Sequence, residues 1–264
     1  MILRRMTHAD IPDGLRLCRA SNWNQLDSDW CFFLDHGGGT LAVRDDTVVG
    51  SVAWLPFGGD FAWLSMMLVD PAERRSGIGS QLMEAALDAL GPAHVRLDAT
   101  PAGEPMYRRF GFQDESRLVR TKVTAAGHHR PSPRARAVES ADLPAIFARD
   151  REIFGADRSA LLSELYRRAP DLAWMTDRAY CFGRPGHLFP QIGPLVAESA
   201  EAARELVEHC LSCHAGRTFV LDLPQRPDGL DLPIERPFLR MSRGAPRPHG
   251  NAAQVFAITG PEFG

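Results

Sequence analysis

Val69-Asp-Pro-Ala-Glu-Arg-Arg-Ser-Gly-Ile-Gly-Ser80 stands between an apolar run, residues 63–69, and the helical pattern Gln81-Leu-Met-Glu-Ala-Ala-Leu-Asp-Ala-Leu90. Strand, glycine turn and helix N-terminus together make an anion-binding device. Glycines without a Cβ let backbone N–H groups point at phosphate oxygens, and the helix end adds partial positive charge. Arg74 and Arg75 add fixed charge in the same loop. The stretch predicts a pyrophosphate site. A P-loop needs Gly-Lys-Ser/Thr at the helix start, where this chain has Gly79-Ser80-Gln81. A dinucleotide fingerprint needs a third glycine where Leu82 stands, and a later acidic residue that is not in the right context here.

The remaining pattern, Arg74-x-x-Gly77-x-Gly79, resembles motif A of the GNAT superfamily of N-acetyltransferases, whose loop wraps the pyrophosphate of acetyl-coenzyme A. Its neighbours agree. His94-Val-Arg-Leu-Asp-Ala99 alternates as a strand does. In the segment that follows, Tyr107-x-x-x-Gly111-Phe112 is similar to the family's second signature, a short helix ending at a glycine with its tyrosine facing the thioester. Upstream, residues 1–5 read as a strand and 9–19 and 23–34 as helices. Residues 41–44 and 47–55 read as a hairpin turning at Asp45-Asp46. The resulting order, β-α-α-β-β-β-α-β-α-β over residues 1–123, is that of the family.

A length of 264 residues suits about two domains. Residues 125–134 lack an apolar period and carry two prolines, so they read as a linker. An internal echo follows: Arg5-Met-Thr-His-Ala-Asp-Ile-Pro12 matches Arg136-Ala-Val-Glu-Ser-Ala-Asp-Leu-Pro144 in layout. Residues 178–183, 189–196 and 218–223 then read as strands, and 201–213 as a helix. Where the first copy has its arginine-glycine loop, the second reads Leu195-Val196-Ala-Glu-Ser-Ala-Glu-Ala-Ala-Arg204. Glutamates there repel a pyrophosphate. The resemblance is to tandem acetyltransferases of bacterial type, and the stretches 236–243 and 255–264 also look like that family. The expected fold class is α+β: two tandem GNAT-like domains, each a mixed, mostly antiparallel sheet flanked by helices. The expected boundaries are 1–124 for the domain with the acetyl-CoA site, 125–134 for the linker and 135–264 for a degenerate domain without a cofactor loop.

A net charge of −3 with mixed signs does not favour a nucleic-acid surface. No stretch approaches the roughly 20 apolar residues of a membrane span, and Met1-Ile-Leu-Arg-Arg lacks a signal-peptide core. Five irregularly spaced cysteines suit a reducing cytoplasm. Cys210-Leu-Ser-Cys213-His214 matches a haem-attachment pattern, but it continues an amphipathic helix. Cys210 reads as a core residue, and no metal site is expected.

Acetyl transfer to an amine needs a held donor, a neutral amine, stabilised charge at the carbonyl and a proton for the departing thiolate. The resemblance assigns the donor to backbone groups of Leu68, Val69, Arg74, Arg75, Ser76, Gly77, Ile78, Gly79 and Ser80. Tyr107 is the candidate general acid, because a thiol near pKa 8.5 and a phenol near 10 are almost matched. Gly111 reads as a helix C-cap. The base is open: residues 61–69 contain no acid, and Asp70 and Glu73 sit in the phosphate turn. Asp98 is the nearest carboxylate, with a water chain to a distant group as the alternative. Trp30 is a candidate for lining the acceptor pocket, and Asp150 for pairing with its ammonium. Cys18 and Cys31 lie outside the motifs. The expectation is a cytoplasmic N-acetyltransferase using acetyl-CoA and no metal. It would act on a small-molecule amine by direct attack in a ternary complex, with no nucleic-acid or membrane partner. The alternative is an acyl-CoA-binding sensor without turnover.

Overall fold

Alternating strands of the first half pair in the order their turns dictate. The computed structural model describes residues 1–59, 61–127, 129–226, 229–230, 232–244 and 250–264; His128 of the expected linker lies outside them. β1 (Ile2–Arg5), β2 (Gly38–Arg44), β3 (Thr47–Phe57) and β4 (Phe61–Val69) form consecutive antiparallel pairs. Asp45 and Asp46 both take positive φ, 47° and 59°, as a tight hairpin turn requires and aspartate tolerates. α1 (Ile11–Ala20) and α2 (Asp27–His36) connect β1 to β2. α3 (Ile78–Leu90) leads to β5 (Val95–Ala99), which runs parallel to β4, and α4 (Glu104–Arg109) leads to β6 (Gln113–Thr124). This is the element order read from the sequence. One helix starts later than its pattern suggested. Asn22 is left-handed (φ 53°), and the Asp29 carboxylate accepts the Leu26 N–H at 2.8 Å, so residues 23–26 form a loop ahead of α2.

The second half repeats the plan. Its elements are β7 (Arg136–Ala137), α5 (Leu143–Phe154), α6 (Ser159–Arg168), β8 (Trp174–Met175), β9 (Ala179–Arg184), β10 (Gln191–Ala197), α7 (Ala200–Ser212), β11 (Thr218–Pro224), β12 (Ile234–Arg243) and β13 (Val255–Ala257). Both halves open on the same device. Arg4 forks onto Asp10 at 2.9 and 2.6 Å, and Arg136 forks onto Asp142 at 2.6 and 2.7 Å. Each aspartate also accepts a backbone N–H three residues upstream, from Thr7 or Glu139, at 2.8 Å. The counterpart of Arg136 is therefore Arg4, one residue before the Arg5 that sequence layout aligned with it.

The strands form one 13-stranded sheet in the order β1-β2-β3-β4-β5-β12-β6-β11-β10-β9-β8-β7, with β13 paired to β10. It is mixed and mostly antiparallel, with parallel pairs at β4–β5 and β10–β11. Two strands change sides. β12 of the second half pairs with β5, setting Leu239 against Ala99, while β6 of the first pairs with β11, setting Thr124 against Thr218. β6 and β12 also pair with each other. Each half thus donates a long strand to the other, and the two expected sheets become continuous.

The apolar core crosses the same boundary. Phe154 of α5 lies 5.0 Å from Phe57 and 5.6 Å from Phe61, and Phe263 stacks on Phe33 at 5.3 Å. Burying a ring of this size stabilises by about 1.5–3 kcal/mol. Polar contacts also join the halves: buried Arg184 donates to Asp29 of α2 at 2.9 Å, and Arg168 donates to the other Asp29 oxygen at 2.7 Å.

Candidate functional site

β4 and β5 pair only at Ala62–Val95 and Trp63–Arg96, and beyond those residues they diverge. The divergence has a local cause. Met66 takes φ 51°, the β3–β4 register slips between Ser51 and Ala53, and the Ser51 hydroxyl donates to the Met66 carbonyl at 2.9 Å. An extra residue bends a strand away from its neighbour, and a left-handed non-glycine is held only by its surroundings. Leu68 and Val69 follow the bulge and end the diverging strand.

The loop after Val69 runs through a 3-10 turn, Pro71–Glu73, to α3. Arg75 and Gly77 are left-handed, φ 65° and 86°. α3 begins at Ile78, so the helix takes in Gly79 and Ser80 ahead of the apolar pattern that opened at Gln81. No side chain caps its N-terminus: Gly77 is the N-cap residue. At Gly79, a Cβ would stand 3.2 Å from the Met106 sulfur. The loop's carboxylates are neutralised from outside. Arg16 donates to Asp70 at 2.8 Å and holds that carboxyl below its usual range, and Arg44 pairs with Glu73. Arg74 folds back onto the Val69 carbonyl at 3.2 Å and the Ser21 hydroxyl at 3.3 Å. Arg75 has no ion pair among the described residues, and the Ser76 hydroxyl donates to the Glu73 carbonyl.

α4 delivers Tyr107 to the mouth of the divergence. Gly111 (φ 82°) ends the turn, with the Phe112 N–H bonded to the Tyr107 carbonyl at 3.2 Å, as a glycine C-cap should. The Tyr107 ring meets Phe112 edge-on at 5.9 Å, and burial pushes its phenol well above the usual range. Its hydroxyl has no hydrogen-bond partner among the described residues. Tyr107 lines a cleft, partly open to solvent, together with residues of β4 and β5. The same cleft is lined by Gln25 of the α1–α2 loop, Arg236 and Phe238 of β12, and Pro261 and Glu262 near the chain's end. The second half holds these segments in place. The Asn24 side chain donates to the Phe189 carbonyl at 2.8 Å and accepts the Leu188 N–H at 2.7 Å, and the Trp63 indole donates to the Pro261 carbonyl at 3.0 Å.

Two carboxylates reach the cleft. The Asp98 side chain is fully buried, and both its oxygens accept from Arg240, at 2.8 and 2.9 Å. Burial pushes its pKa up against the pull of that guanidinium. Glu262 pairs with Arg184 through Oε1, and its Oε2 has no partner among the described residues. The two acceptor-site candidates read from sequence lie elsewhere. Trp30 is fully buried against Gly14, where a Cβ would come within 2.8 Å of its ring. Asp150 accepts from Arg158 at 2.8 and 2.9 Å and from the Tyr180 hydroxyl at 2.6 Å, inside the second half. Sequence reasoning missed Gln25, Arg236 and Glu262. The stretches 236–243 and 255–264 were noted only as family-like, and no spacing marks single residues within them.

The second half answers each of these features differently. β10 and β11 are parallel partners only at Gln191–Val220. β13 lies between them, pairing Leu195 with Ala257 and Val196 with Val255, and the Ile258 N–H donates to the Asp222 carbonyl at 2.9 Å. Only Glu198 and Ser199 separate β10 from α7, and the Ser199 hydroxyl accepts the Ala202 N–H at 3.3 Å, capping the helix. α7 runs through Cys210, which is buried. Among the described residues no group of His, Cys, Asp and Glu is placed to hold a metal, and no helix is long and apolar enough to cross a membrane.

Two models described as an acetyltransferase (GNAT) domain match the chain, one over residues 35–114 and the other over 146–257. A holothin acyltransferase of Pseudoalteromonas sp. (strain SANK 73390) is 24% identical, over 90% of this chain and 85% of the relative. Among solved structures, a putative acetyltransferase from Pyrococcus horikoshii aligns with a TM-score of 0.84 at 23% identity, over 100% of this chain and 95% of its own. A GCN5-related N-acetyltransferase from Sphaerobacter thermophilus aligns at 0.67 and 15% identity, over 96% and 98%. These structural likenesses are likenesses of fold.

Proposed function

The chain belongs to the GNAT acetyltransferase family, an acyltransferase with two such domains in tandem, and on that premise we propose that it transfers the acetyl group of acetyl-coenzyme A to a primary amine of a small molecule. The transfer is direct, in a ternary complex. Residues 1–124 supply the donor site and 135–264 the supporting half, divided at 125–134, and the enzyme acts in the cytoplasm. The observation that carries this reading is the Tyr107 hydroxyl, unpartnered at the mouth of the diverging β4 and β5.

The residues fit the donor. An uncapped helix N-terminus at Gly77, a left-handed Arg75 with no ion pair and a Gly79 hard against Met106 suit a pyrophosphate on backbone amides. Leu68 and Val69, past the bulge, suit an extended arm laid along an unpaired strand edge. When bound, the donor supplies a thioester, so the C–S bond breaks as the C–N bond forms, and the amine loses one proton.

Glu262, with Oε2 free, takes that proton in this reading. Asp98, with both oxygens on Arg240, is assigned to holding β5 and β12 in register. Tyr107 stays protonated at neutral pH. Its raised pKa makes full transfer to a thiolate near 8.5 uphill by about 1.4 kcal/mol for each unit of mismatch. Its part is to donate a hydrogen bond to the departing sulfur.

The test is release of free thiol from acetyl-coenzyme A across a panel of amines. Tyr107→Phe is expected to lower kcat by about 10–100-fold while donor affinity stays within about threefold. Unchanged turnover would remove Tyr107 from the reaction.

A further inference from the structure

The cleft is lined by two polar groups whose valences the protein leaves unused. Gln25 is 6% exposed, and its Oε1 is buried without a hydrogen-bond partner. Arg236 has a buried Nε in the same condition, and no hydrogen bond or ion pair reaches its guanidinium among the described residues. A buried polar atom left without a partner costs about 1–3 kcal/mol, so two lining one cleft call for an explanation.

The surrounding charges do not supply one. Arg120, opposite Arg236 in the β6–β12 pairing, is forked onto Asp222 at 2.8 and 2.7 Å. Asp222 also accepts from Gln191 at 2.7 Å. Glu235, the neighbour of Arg236 in sequence, is taken by Lys122 at 3.0 Å. Asp98 has Arg240, and Glu262 has Arg184. Each other charged side chain lining the cleft has an ion-pair partner, and Arg236 alone among them has none among the described residues. It lies over the Phe238 ring, 4.8 Å from its centroid. Burial and the like charge of Arg120 lower its pKa, against the weaker pull of Asp222 and Glu235.

The lining of the cleft therefore includes a cation at Arg236, a neutral acceptor at Gln25 Oε1 and a carboxylate oxygen at Glu262. Its complement carries an anion and an N–H donor together. We propose that the acceptor is a small amine that also bears a carboxylate, an amino-acid-like molecule: Arg236 takes the carboxylate, while Gln25 Oε1 and Glu262 face the amine. A planar guanidinium suits a carboxylate in particular, because two parallel N–H groups meet two oxygens. Polyamines and other purely cationic amines are disfavoured in this cleft. The proposal rests on the acyl-transfer reading of the cleft and narrows its substrate.

Matched pairs of amines test it: lysine against cadaverine and phenylalanine against phenethylamine, with others of the same design. Binding to the full chain saturated with coenzyme A is measured by calorimetry in the parent, in Arg236→Gln and in Arg236→Lys. The carboxylated member of at least one pair is expected to bind about 10- to 100-fold tighter than its partner, the range of one charge-assisted pair. Arg236→Gln should collapse that difference, and Arg236→Lys should keep part of it. Equal binding within every pair, a preference that survives Arg236→Gln, or no binding by any carboxylated amine at millimolar concentration overturns the proposal. Thiol release is read on the same panel. Turnover confined to amines without a carboxylate keeps the acyl-transfer reading and overturns only the carboxylate. Carboxylate-selective binding without thiol release from any amine supports the Arg236 site and counts against acyl transfer.

Discussion

The two halves start from one plan and close their central divergence in opposite ways. In the first, β4 and β5 part after two pairs of residues, and Tyr107, Gln25 and Arg236 line what lies between. In the second, β10 and β11 part after a single pair, and β13 lies in the gap. The adjoining helices show the same contrast. α3 starts at a left-handed Gly77 with no side chain over its amides, whereas α7 starts at Ser199, whose hydroxyl accepts the Ala202 amide. Diverging parallel strands leave backbone groups that need partners. One half supplies them from its own chain, and in our reading the other leaves them to the donor. The second half has gained a role in exchange. After β13 the chain crosses to Trp63 and brings Glu262 into the first half's cleft.

The contrast breaks most visibly at β13. Phe256 is buried in this strand at 3% exposure. Phe256→Ala should lower unfolding stability in urea by about 3–5 kcal/mol while leaving acetyl-coenzyme A affinity unchanged. A loss well under 1 kcal/mol would mean that β13 is not what fills the second divergence. A smaller effect belongs to the helix start. Ser199→Ala should cost about 1 kcal/mol, read as a lower Tm, without creating a second donor site. A second binding event in the calorimeter would show that the serine cap, rather than β13, keeps donor out.

Much of this is legible in the sequence. The order of elements over residues 1–123 followed from period-2 and period-3.6 patterns and from turn residues such as Asp45-Asp46, because local sequence alone sets those features. The loss of the glycine loop at residues 197–204 was equally local. The strand exchange was not legible: β6 and β12 read as ordinary strands, and no pattern in either says which neighbour it will take. The cleft divided along the same line. Tyr107 and Gly77 sit in short motifs with fixed spacing. Gln25, Arg236 and Glu262 come from three distant segments and meet only after the halves exchange strands. Trp30 lies in the core, and an aromatic on a helix reads alike in sequence whether it lines a pocket or fills a core. Asp150 lies with Arg158 and Tyr180, partners brought to it by packing within the second half.

The smallest expected effect tests where the halves are alike. The Arg136 fork lowers the Asp142 pKa to about 2, and the Arg4 fork depresses Asp10 further still. A carboxylate depressed in the folded state stabilises above its unfolded pKa, near 3.9, and loses that contribution as pH falls through the folded value. The parent should therefore lose urea stability between about pH 5 and pH 2.5, and Asp142→Asn should lose less over the same interval. Identical slopes would show that the repeated fork contributes nothing to folding.

The central claim is that one divergence binds donor and the other is filled by the chain itself. Titration of acetyl-coenzyme A into the full chain by calorimetry, with Gly77→Asp beside the parent, tests it most directly. Gly77 is left-handed at φ 86°, so an aspartate there adds backbone strain and a negative charge at the helix start. The account predicts one site per chain, weakened about 100-fold by Gly77→Asp. Two sites per chain, or one site that Gly77→Asp leaves intact, would contradict it.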